Sequence, residues 1–295
     1  MTYREFLVLR ASELEEGESP LLDASLILAH CLGMKRDRLL ALFPEEAAAP
    51  PPSFEECWAR RKAGESVAYI VGRKEFFGRE FLVDGRVLVP RPDSETLVMV
   101  ALEVGDGVRN AQAAIVADGR PGRAGKGPGG LRLHDVCTGS GAVALSVAAE
   151  RRDWAVSASD LSPGALDLAR ENSRRLLGRE IPFICADLLQ GLDGSFDIIT
   201  ANPPYVTTRE TAELLARGWK EPSLALDGGA DGLDLVRRLV GQAKKALFPG
   251  GFLLVETDAL QSETVRDMFM KEGFCEVRTW KDLAGLERIT GARRP

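Results

Sequence analysis

The stretch Leu131-Arg132-Leu133-His134-Asp135-Val136-Cys137-Thr138-Gly139-Ser140-Gly141 decides the fold. Its first half has the apolar character of a strand, and a run typical of a helix begins at Ala142. Gly139 and Gly141 carry no Cβ, so the backbone between the two elements can turn tightly and approach a ligand closely. Glycine spacing of this kind also arises by chance, so its meaning depends on the elements around it.

Strand-like and helix-like segments alternate from residue 131 to residue 258. Amphipathic stretches near 142–151, 163–177 and 233–247 lie between apolar runs. This alternation predicts an α/β fold with a doubly wound, Rossmann-like sheet. Such sheets bind ligands beyond the carboxyl ends of their strands, near the switch in strand order. The predicted strands are 131–136, 155–160, 182–187, 196–202 and 251–258.

Acidic residues mark the ends of the first three predicted strands. Asp160 follows Gly141 by 19 positions, a spacing that suits hydrogen bonding to ribose hydroxyls. Asp187 is placed to reach the nucleoside base. A dinucleotide is the alternative ligand, but the phosphate-binding GxGxxG pattern is missing. Asp135 would repel a pyrophosphate and could hold the ammonium of a methionine moiety, so the pattern favours S-adenosylmethionine.

The fourth predicted strand ends in Asn202-Pro203-Pro204-Tyr205. The two prolines stiffen the segment, because each fixes its own φ and restrains the residue before it. Asn202 offers a side-chain oxygen, Pro203 a backbone oxygen, and Tyr205 a flat face for stacking. Two acceptors that each take one N–H would localise electron density on a planar amide or amino nitrogen and aim its lone pair at the sulfonium methyl group. By itself the segment could equally be a rigid turn.

This chemistry needs no strong general base, because the proton leaves easily once the methyl group has been transferred. We expect His30, on a predicted helix, and His134, inside a predicted strand, to be structural. The five cysteines are scattered without a CxxC pair, which predicts neither a disulfide framework nor a zinc or other metal site.

The first 65 residues look like a small helical unit. Capping boxes are predicted at Thr2–Glu5 and at Ser53–Glu56. A helix between them would bury one face carrying Leu22, Leu26 and Ala29. The β-rich runs 76–83 and 87–89 flank Asp84-Gly85, which predicts a hairpin that joins two domains. Residues 105–130, rich in Gly, Arg and Ala, are predicted to form a mobile, solvated loop.

Charge and hydropathy narrow the class of partner. The net charge of −6 and pI near 5.3 argue against a protein that coats nucleic acid. No apolar run approaches the length of a membrane span, and the N-terminus lacks a secretory signal. We therefore expect a cytoplasmic protein without a stable nucleic-acid or membrane partner.

Several motifs together resemble the peptide chain release factor glutamine methyltransferases (the HemK/PrmC family). The resemblance spans nearly the whole chain and implies a small N-terminal helical domain joined by a β-hairpin to a Rossmann-like methyltransferase sheet. The expected boundaries are 1–68 for the helical substrate-recognition domain, 69–90 for the hairpin linker and 91–295 for the methyltransferase domain. Besides 135–141, Asp160 and 202–205, the motifs are Ala68-Tyr69-Ile70-Val71-Gly72, Glu75-Phe76-Phe77-Gly78, Val89-Pro90-Arg91-Pro92-Asp93-Ser94-Glu95-Thr96-Leu97-Val98 and Glu221-Pro222-Ser223-Leu224-Ala225-Leu226-Asp227-Gly228-Gly229-Ala230-Asp231-Gly232.

The resemblance implies an activity and a division of roles. Such enzymes act in translation termination: they methylate the glutamine side-chain amide in the Gly-Gly-Gln motif of release factors, converting S-adenosylmethionine to S-adenosylhomocysteine. The glutamine would be held by Asn202, Pro203, Pro204 and Tyr205, with Asn202, Pro203 and Tyr205 catalytic, and we expect a monomer. The cofactor would contact Asp135, Cys137, Thr138, Gly139, Ser140, Gly141, Asp160, Asp187, Leu188 and Asn202.

The chain departs from the family pattern at a few positions. Cys137 stands where glycine is frequent, Leu188 where an aromatic residue often contacts adenine, and Ser94 where threonine is usual. The insertion before Leu131 is long and has no assigned role. Arg91 and Glu95 either shape the active-site wall or form an ion pair with each other.

Two other substrates stay open from the sequence. A ribosomal-protein glutamine would suit the same site, and so would a DNA adenine flipped from its duplex. The segment 90–95 favours release factors, and the acidic balance of the chain disfavours DNA. A binding module that merely keeps the fold is disfavoured by the intact Asp135, Asp160 and Asn202.

Overall fold

A computed structural model describes residues 1–14, 19–117, 130–192 and 196–295. The chain divides into two compact units. The first unit comprises Met1–Arg73 and Leu214–Lys220, and the second comprises Lys74–Glu213 and Glu221–Pro295. No helix among the described residues is both long and apolar enough to cross a membrane.

The first unit is helical and has its own apolar core. Phe54 and Trp58 are fully buried there, with their rings stacked at a centroid distance of 5.9 Å. The Trp58 indole nitrogen donates to Glu13 Oε2 at 3.0 Å, which satisfies the one polar atom of that buried side chain. The helices are α1 Tyr3–Ala11, α2 Pro20–Cys31, α3 Arg36–Ala41, α4 Pro52–Lys62 and α5 Val67–Val71.

One of the two predicted capping boxes is confirmed. Glu5 N donates to Thr2 Oγ1 at 3.2 Å, and Thr2 N donates to Glu5 Oε2 at 2.8 Å. The box at Ser53–Glu56 was wrong, because α4 begins at Pro52 and Ser53 lies inside its first turn. A proline at the first helical position has its φ preset and lacks the N–H that would need a cap, so the helix begins two residues earlier than a Ser53 cap would place it.

The predicted buried face of α2 was largely wrong. Ala29 is buried, but Leu22 is 39% exposed, and Ile27 and Leu28 form the buried stripe instead. Leu26 is only partly buried. Nearly every position of this helix is apolar, so the spacing of apolar residues alone could not identify the face that packs.

The hairpin exists, but its turn is not at Asp84-Gly85 as predicted. Strands β1 (Arg73–Phe76) and β2 (Arg79–Leu82) form a two-stranded sheet around Phe77-Gly78. Phe77 and Gly78 both have positive φ, 51° and 67°, as a type I′ turn requires. Gly78 in the second turn position indicated the turn in the sequence. Phe77 in the first position did not, because phenylalanine rarely adopts a positive φ.

The second unit contains the predicted Rossmann-like sheet. Its seven strands have the order β5-β4-β3-β6-β7-β9-β8. The first five are parallel, and β9 pairs antiparallel with both β7 and β8. The strands are β3 Arg132–Val136, β4 Ala155–Asp160, β5 Phe183–Cys185, β6 Phe196–Ala201, β7 Leu247–Glu256, β8 Cys275–Lys281 and β9 Glu287–Arg293. The five predicted strands are thus confirmed, although β5 ends before Asp187; β8 and β9 were not predicted.

Helices cover this sheet. Leu254 of β7 belongs to one apolar cluster, whereas its neighbours Leu253 and Val255 belong to another. Because successive side chains of a strand point to opposite faces, both faces of the sheet are buried. The remaining helices are α6 Glu95–Ala117, α7 Ala142–Glu150, α8 Pro163–Leu177, α9 Thr208–Ala216, α10 Asp234–Ala246 and α11 Ser262–Lys271.

The predicted loop at 105–130 was wrong over its first half. Residues 105–117 continue α6, and 118–129 lie outside the described residues. Gly105 lies directly against Trp154, so that an added Cβ would come within 2.0 Å of the indole ring. This glycine allows the helix to pack closely on its neighbours.

The switch in strand order lies between β3 and β6. The chain builds β4 and β5 on one side of β3, then returns to place β6 on the other side. Asp135 is paired with Thr200, and Val136 with Ala201, at the carboxyl ends of these strands. The loops that follow the two strands therefore border one crevice, which is where a doubly wound sheet binds its ligand.

Candidate active site

A cavity of about 500 Å³ lies at the carboxyl edge of the sheet in the second unit. Most of the predicted site residues line it: Asp135, Cys137, Thr138, Gly139, Ser140, Asp160, Asp187, Leu188, Asn202 and Pro204. Three predicted residues, Gly141, Pro203 and Tyr205, border these without lining the cavity itself. The volume is typical of a small-molecule site.

The loop after β3 has the left-handed backbone that its glycines suggested. Gly139 and Gly141 have φ values of 54° and 82°. Cys137 also has a positive φ, 56°, a backbone conformation that glycine adopts at no steric cost. Burial raises the pKa of the Cys137 thiol well above its usual value, so the side chain is a neutral, small apolar group.

Asp135 stabilises the place where the strand order switches, because its carboxylate accepts two hydrogen bonds there. Thr138 Oγ1 donates to its Oδ2 at 2.6 Å, and Thr200 Oγ1 donates to its Oδ1 at 2.7 Å. Burial raises the pKa of Asp135 to about 6, although these two hydroxyl groups lower it. The carboxyl group thereby ties the loop after β3 to strand β6. Its predicted contact with an ammonium group stays a prediction.

Asp160 connects the loop after β3 with the loop after β4. Its Oδ2 accepts from Gly139 N at 2.8 Å, and its Oδ1 accepts from Ser162 N at 2.9 Å. Burial raises the pKa of Asp160. Each carboxylate oxygen has a second lone pair, so the group can still accept from two vicinal hydroxyl groups.

The third strand end supplies an apolar wall. Leu188 is buried and has a φ of 57°, which turns the chain sharply after β5. Asp187 forms an ion pair with Arg238 of α10. Leu161 lines the same cavity and is half exposed. Leu188, which follows β5, and Leu161, which follows β4, suit the flat apolar faces of a purine.

Asn202 follows β6 and lines the cavity. Its Nδ2 donates to Ser94 Oγ at 3.0 Å. Ser94 Oγ donates to Glu256 Oε1 at 2.9 Å. The amide nitrogen of Asn202 is thus bound on the protein side, which leaves the amide oxygen as the end available to a ligand.

The segment 221–232 packs against the backbone of 202–205. Val206 N donates to Leu226 O at 3.0 Å, and Gly228 N donates to Val206 O at 2.8 Å. A Cβ on Gly228 would lie 2.5 Å from Pro204 O. Burial raises the pKa of Tyr205 to about 12, so its phenol is neutral. The Asn-Pro-Pro-Tyr segment is therefore held by its neighbours as well as by its prolines.

Comparison with known proteins gives the family of this chain. Residues 6–72 match the PrmC N-terminal domain, and residues 129–219 match the methyltransferase small domain. A release factor glutamine methyltransferase of Burkholderia pseudomallei is 37% identical over 98% of this chain and 95% of its own length. Another, of Deinococcus radiodurans, is 39% identical over 94% of this chain and 92% of its own length. The chain belongs to the release factor glutamine methyltransferase family.

A solved structure of the same description is also similar. The release-factor-specific protein-(glutamine-N5) methyltransferase of Alicyclobacillus acidocaldarius subsp. acidocaldarius is 26% identical, with a TM-score of 0.40. The match covers 72% of this chain and 99% of that chain.

Arg91 and Glu95 do not pair with each other, so the structure disfavours the ion-pair alternative. Arg91 Nη2 lies 2.6 Å from Glu221 Oε2, and Glu221 Oε1 accepts from Val89 N at 3.0 Å. Glu95 accepts from Phe77 N at 2.8 Å, and so supports the hairpin turn. Arg91 lines the cavity, which favours the alternative that it shapes the active-site wall.

His134 has the surroundings of a structural residue. It is fully buried, and its Nδ1 and Nε2 lie 2.8 and 3.0 Å from the hydroxyl groups of Ser157 and Ser159. Burial lowers its pKa to about 4, so the ring is neutral at physiological pH. His30 is exposed at the end of α2.

Sequence reasoning missed Thr200 and Glu256. Both are buried polar residues near the carboxyl ends of strands, Thr200 on β6 and Glu256 as the last residue of β7. Applied to the fifth predicted strand, 251–258, the rule that pointed to Asp160 would have selected its last residue, Asp258, whereas β7 ends at Glu256. Thr200 carried no such signal, because a threonine inside a strand is ordinary.

Proposed function

We propose that this chain transfers a methyl group from S-adenosylmethionine to the side-chain amide nitrogen of the glutamine in the Gly-Gly-Gln motif of peptide chain release factors. Membership of the family supports the reaction and the class of protein substrate. The roles of Asn202 and Asp160 rest on the geometry of the cavity, whereas those of Pro203 and Tyr205 rest on the family resemblance and on their place next to Asn202 in the chain.

The orientation of Asn202 carries the proposal. Its Nδ2 is engaged by Ser94, so the atom available toward the cavity is Oδ1, a hydrogen-bond acceptor. A glutamine amide nitrogen carries two N–H donors and is a poor nucleophile, because its lone pair is delocalised into the carbonyl group. An acceptor is what such a nitrogen needs from its site.

The residues of the cavity fit the proposed cofactor. Asp160 has acceptor capacity for ribose hydroxyls, Leu161 and Leu188 supply apolar surface for adenine, and the loop 137–141 places its backbone against the cavity. When bound, S-adenosylmethionine supplies an electrophilic methyl group on its sulfonium.

Asn202 and Pro203 prepare the substrate nitrogen. Asn202 Oδ1 and the Pro203 carbonyl oxygen each accept one N–H of the glutamine amide, which increases the electron density on nitrogen and fixes its direction. Tyr205 borders the cavity without lining it, and its neutral ring is proposed to lie beside the amide plane. No residue need act as a strong base, because the methylated amide loses its extra proton readily to water.

The first unit is proposed to recognise the release factor. With the boundaries 1–68, 69–90 and 91–295, the helical segment would bind the protein substrate and the hairpin would link it to the methyltransferase domain. We propose further that the enzyme acts as a monomer in the cytoplasm, without a stable nucleic-acid or membrane partner. The acidic net charge of −6 supports a protein substrate over DNA.

A methyl-transfer assay tests the proposal. Purified chain and S-adenosylmethionine labelled on its methyl group are incubated with a release factor, the same release factor carrying Gln→Ala in its Gly-Gly-Gln motif, ribosomal proteins and duplex DNA. We expect label only in the intact release factor. Label in DNA or in ribosomal protein, and none in the release factor, would overturn the assignment.

A further inference from the structure

Three side chains form a buried hydrogen-bonded series behind the Asn202 amide. Asn202 Nδ2 donates to Ser94 Oγ at 3.0 Å, and Ser94 Oγ donates to Glu256 Oε1 at 2.9 Å. Ser94 is 5% exposed and Glu256 is 1% exposed. Among the described residues, the second carboxylate oxygen of Glu256 has no hydrogen-bond partner. Burying a carboxyl group with one oxygen unsatisfied lowers the free energy of unfolding. A buried group of this kind is therefore a candidate for a functional role.

The direction of each hydrogen bond follows from the chemistry of the groups. An ionised carboxylate only accepts, so Ser94 must give its single hydroxyl hydrogen to Glu256. The Ser94 oxygen then has only lone pairs left for Asn202, and only the –NH₂ end of the Asn202 amide can satisfy them. The amide turned by 180° would place its oxygen against the Ser94 oxygen, with no hydrogen between them.

We propose that Glu256 and Ser94 are positioning residues that hold Asn202 with its amide oxygen toward the substrate nitrogen. The inference rests on the proposed function, since it concerns how Asn202 meets the glutamine amide. Without this series, an asparagine amide could rotate and present its –NH₂ group, a donor facing another donor. The substrate nitrogen would then lose the acceptor that makes it reactive.

Protonation of Glu256 would reverse the series. A neutral carboxyl group can donate to Ser94, and Ser94 can then donate to the rotated amide oxygen of Asn202. Burial raises the pKa of Glu256 to about 7. The hydrogen bond from Ser94 lowers it, nearby Asp93 raises it, and Arg288 and the Asn202 amide lower it. The phenol of Tyr205, the other titratable group that interacts with this carboxylate, has a pKa of about 12 and stays neutral. Glu256 is therefore ionised, and Asn202 correctly oriented, above about pH 7.

The first test compares two substitutions of Ser94. Ser94→Ala removes the hydroxyl group, whereas Ser94→Thr retains it and is the matched control. We expect Ser94→Ala to lower kcat for release factor methylation by about tenfold or more, as for loss of part of a preorganised contact, with an unchanged Kd for S-adenosylhomocysteine. Ser94→Thr should stay within about twofold to threefold of the wild type.

The second test follows kcat against pH from 6 to 9. The wild type should lose activity as the pH falls through about 7. In Glu256→Gln this decrease should move to about pH 6, where Asp135 titrates, because the amide oxygen of glutamine accepts from Ser94 at every pH. Ser94→Ala with wild-type kcat, or a decrease in kcat that stays near pH 7 in Glu256→Gln, would overturn the inference. If Glu256→Gln does not fold, the two Ser94 variants decide it. A wild-type enzyme that leaves release factor unlabelled would instead refute the proposed function.

Discussion

Asn202 is the residue on which the proposed chemistry depends most directly. Replacing it with alanine removes one preorganised acceptor while the loop 137–141, which is proposed to bind the cofactor, is untouched. We expect Asn202→Ala to lower kcat by about a hundredfold, the usual effect of losing one such contact, with little change in cofactor affinity. Initial rates with release factor and a calorimetric Kd for S-adenosylhomocysteine measure the two quantities. Unchanged turnover would contradict the role of Asn202.

Glu256 should also affect the stability of the fold in a pH-dependent way. Its pKa is raised from the model-compound value of 4.5 to about 7, chiefly by burial. The folded protein therefore holds this proton over a pH range in which the unfolded chain has lost it. The contribution of Glu256 to stability is fully present below about pH 4.5 and is lost as the pH rises toward 7.

Glu256→Gln removes this titration. The free energy of unfolding of the variant, minus that of the wild type, should increase from pH 5 to pH 8. Denaturant unfolding at both pH values measures it, and taking the difference cancels the titrations of Asp135 and Asp160, which lie in the same direction. A difference that is constant or falls would show that the carboxyl group titrates normally.

At the scale of elements, α6 offers a matched pair of glycines. Alanine is favoured over glycine in a helix interior by about 1 kcal/mol. At Gly107 an added Cβ meets nothing within 4 Å, so Gly107→Ala should stabilise the protein by up to that amount. At Gly105 the same methyl group would overlap the Trp154 ring and lie 2.9 Å from Ile198 Cδ1. Gly105→Ala should therefore destabilise it, by about 1–3 kcal/mol as for overpacked cores.

Thermal unfolding of the two variants is the measurement. The prediction would fail if both substitutions changed the stability in the same direction. It would also fail if the Trp154 fluorescence of Gly105→Ala matched that of the wild type, because the ring has to move to admit the methyl group.

The segment 221–232 predicts a second contrast between glycines. Gly228→Ala places a Cβ 2.5 Å from Pro204 O and from Gly232 O, so the backbone of the substrate-binding segment has to shift. A misplacement of about 1 Å can lower turnover by about a hundredfold, so we expect a fall in kcat of roughly that size with cofactor affinity retained. Gly241→Ala is the control, since an added Cβ there meets nothing within 4 Å. Equal turnover of the two variants would argue against this support of the loop.

The elements show where sequence reasoning succeeds and where it fails. The strands β3, β4 and β6 were predicted within one residue of their bounds, because buried parallel strands are short apolar runs that end in polar loops. The largely apolar α2 and the glycine-containing α6 were predicted poorly. Their faces and lengths depend on what packs against them, and Trp154, which explains Gly105, is nearly 50 residues away in the sequence.

In the candidate site too, residues marked by local sequence were predicted, and residues that depend on distant partners were missed. Asp160 and Asn202 were found because the end of a strand is visible locally. The series from Asn202 through Ser94 to Glu256 joins residues up to 162 positions apart, and no spacing in the sequence indicates it. The partner of Arg91 was missed for the same reason, since Glu221 comes 130 residues later.

At the scale of the whole molecule, the two units have separate apolar cores. The core of the first unit contains Phe54 and Trp58, and none of its residues belongs to the cores of the second. We therefore expect two transitions in calorimetry. S-adenosylhomocysteine at a hundred times its Kd should stabilise the second unit by about 2.7 kcal/mol and leave the first transition in place. A single transition that shifts as a whole would contradict this independence.

The composition of the first unit also has a consequence for synthesis on the ribosome. Met1–Arg73 emerges early, but the segment Leu214–Lys220 that belongs to the same unit is translated about 140 residues later. At an elongation rate of 5–20 residues per second, this delay is on the order of ten seconds. During that interval the helices of Met1–Arg73 lack the segment Leu214–Lys220 of their unit, while the strands from β3 to β6 are being synthesised. A ribosome pause inside that stretch would lengthen the exposure of an incomplete domain to chaperones and proteases.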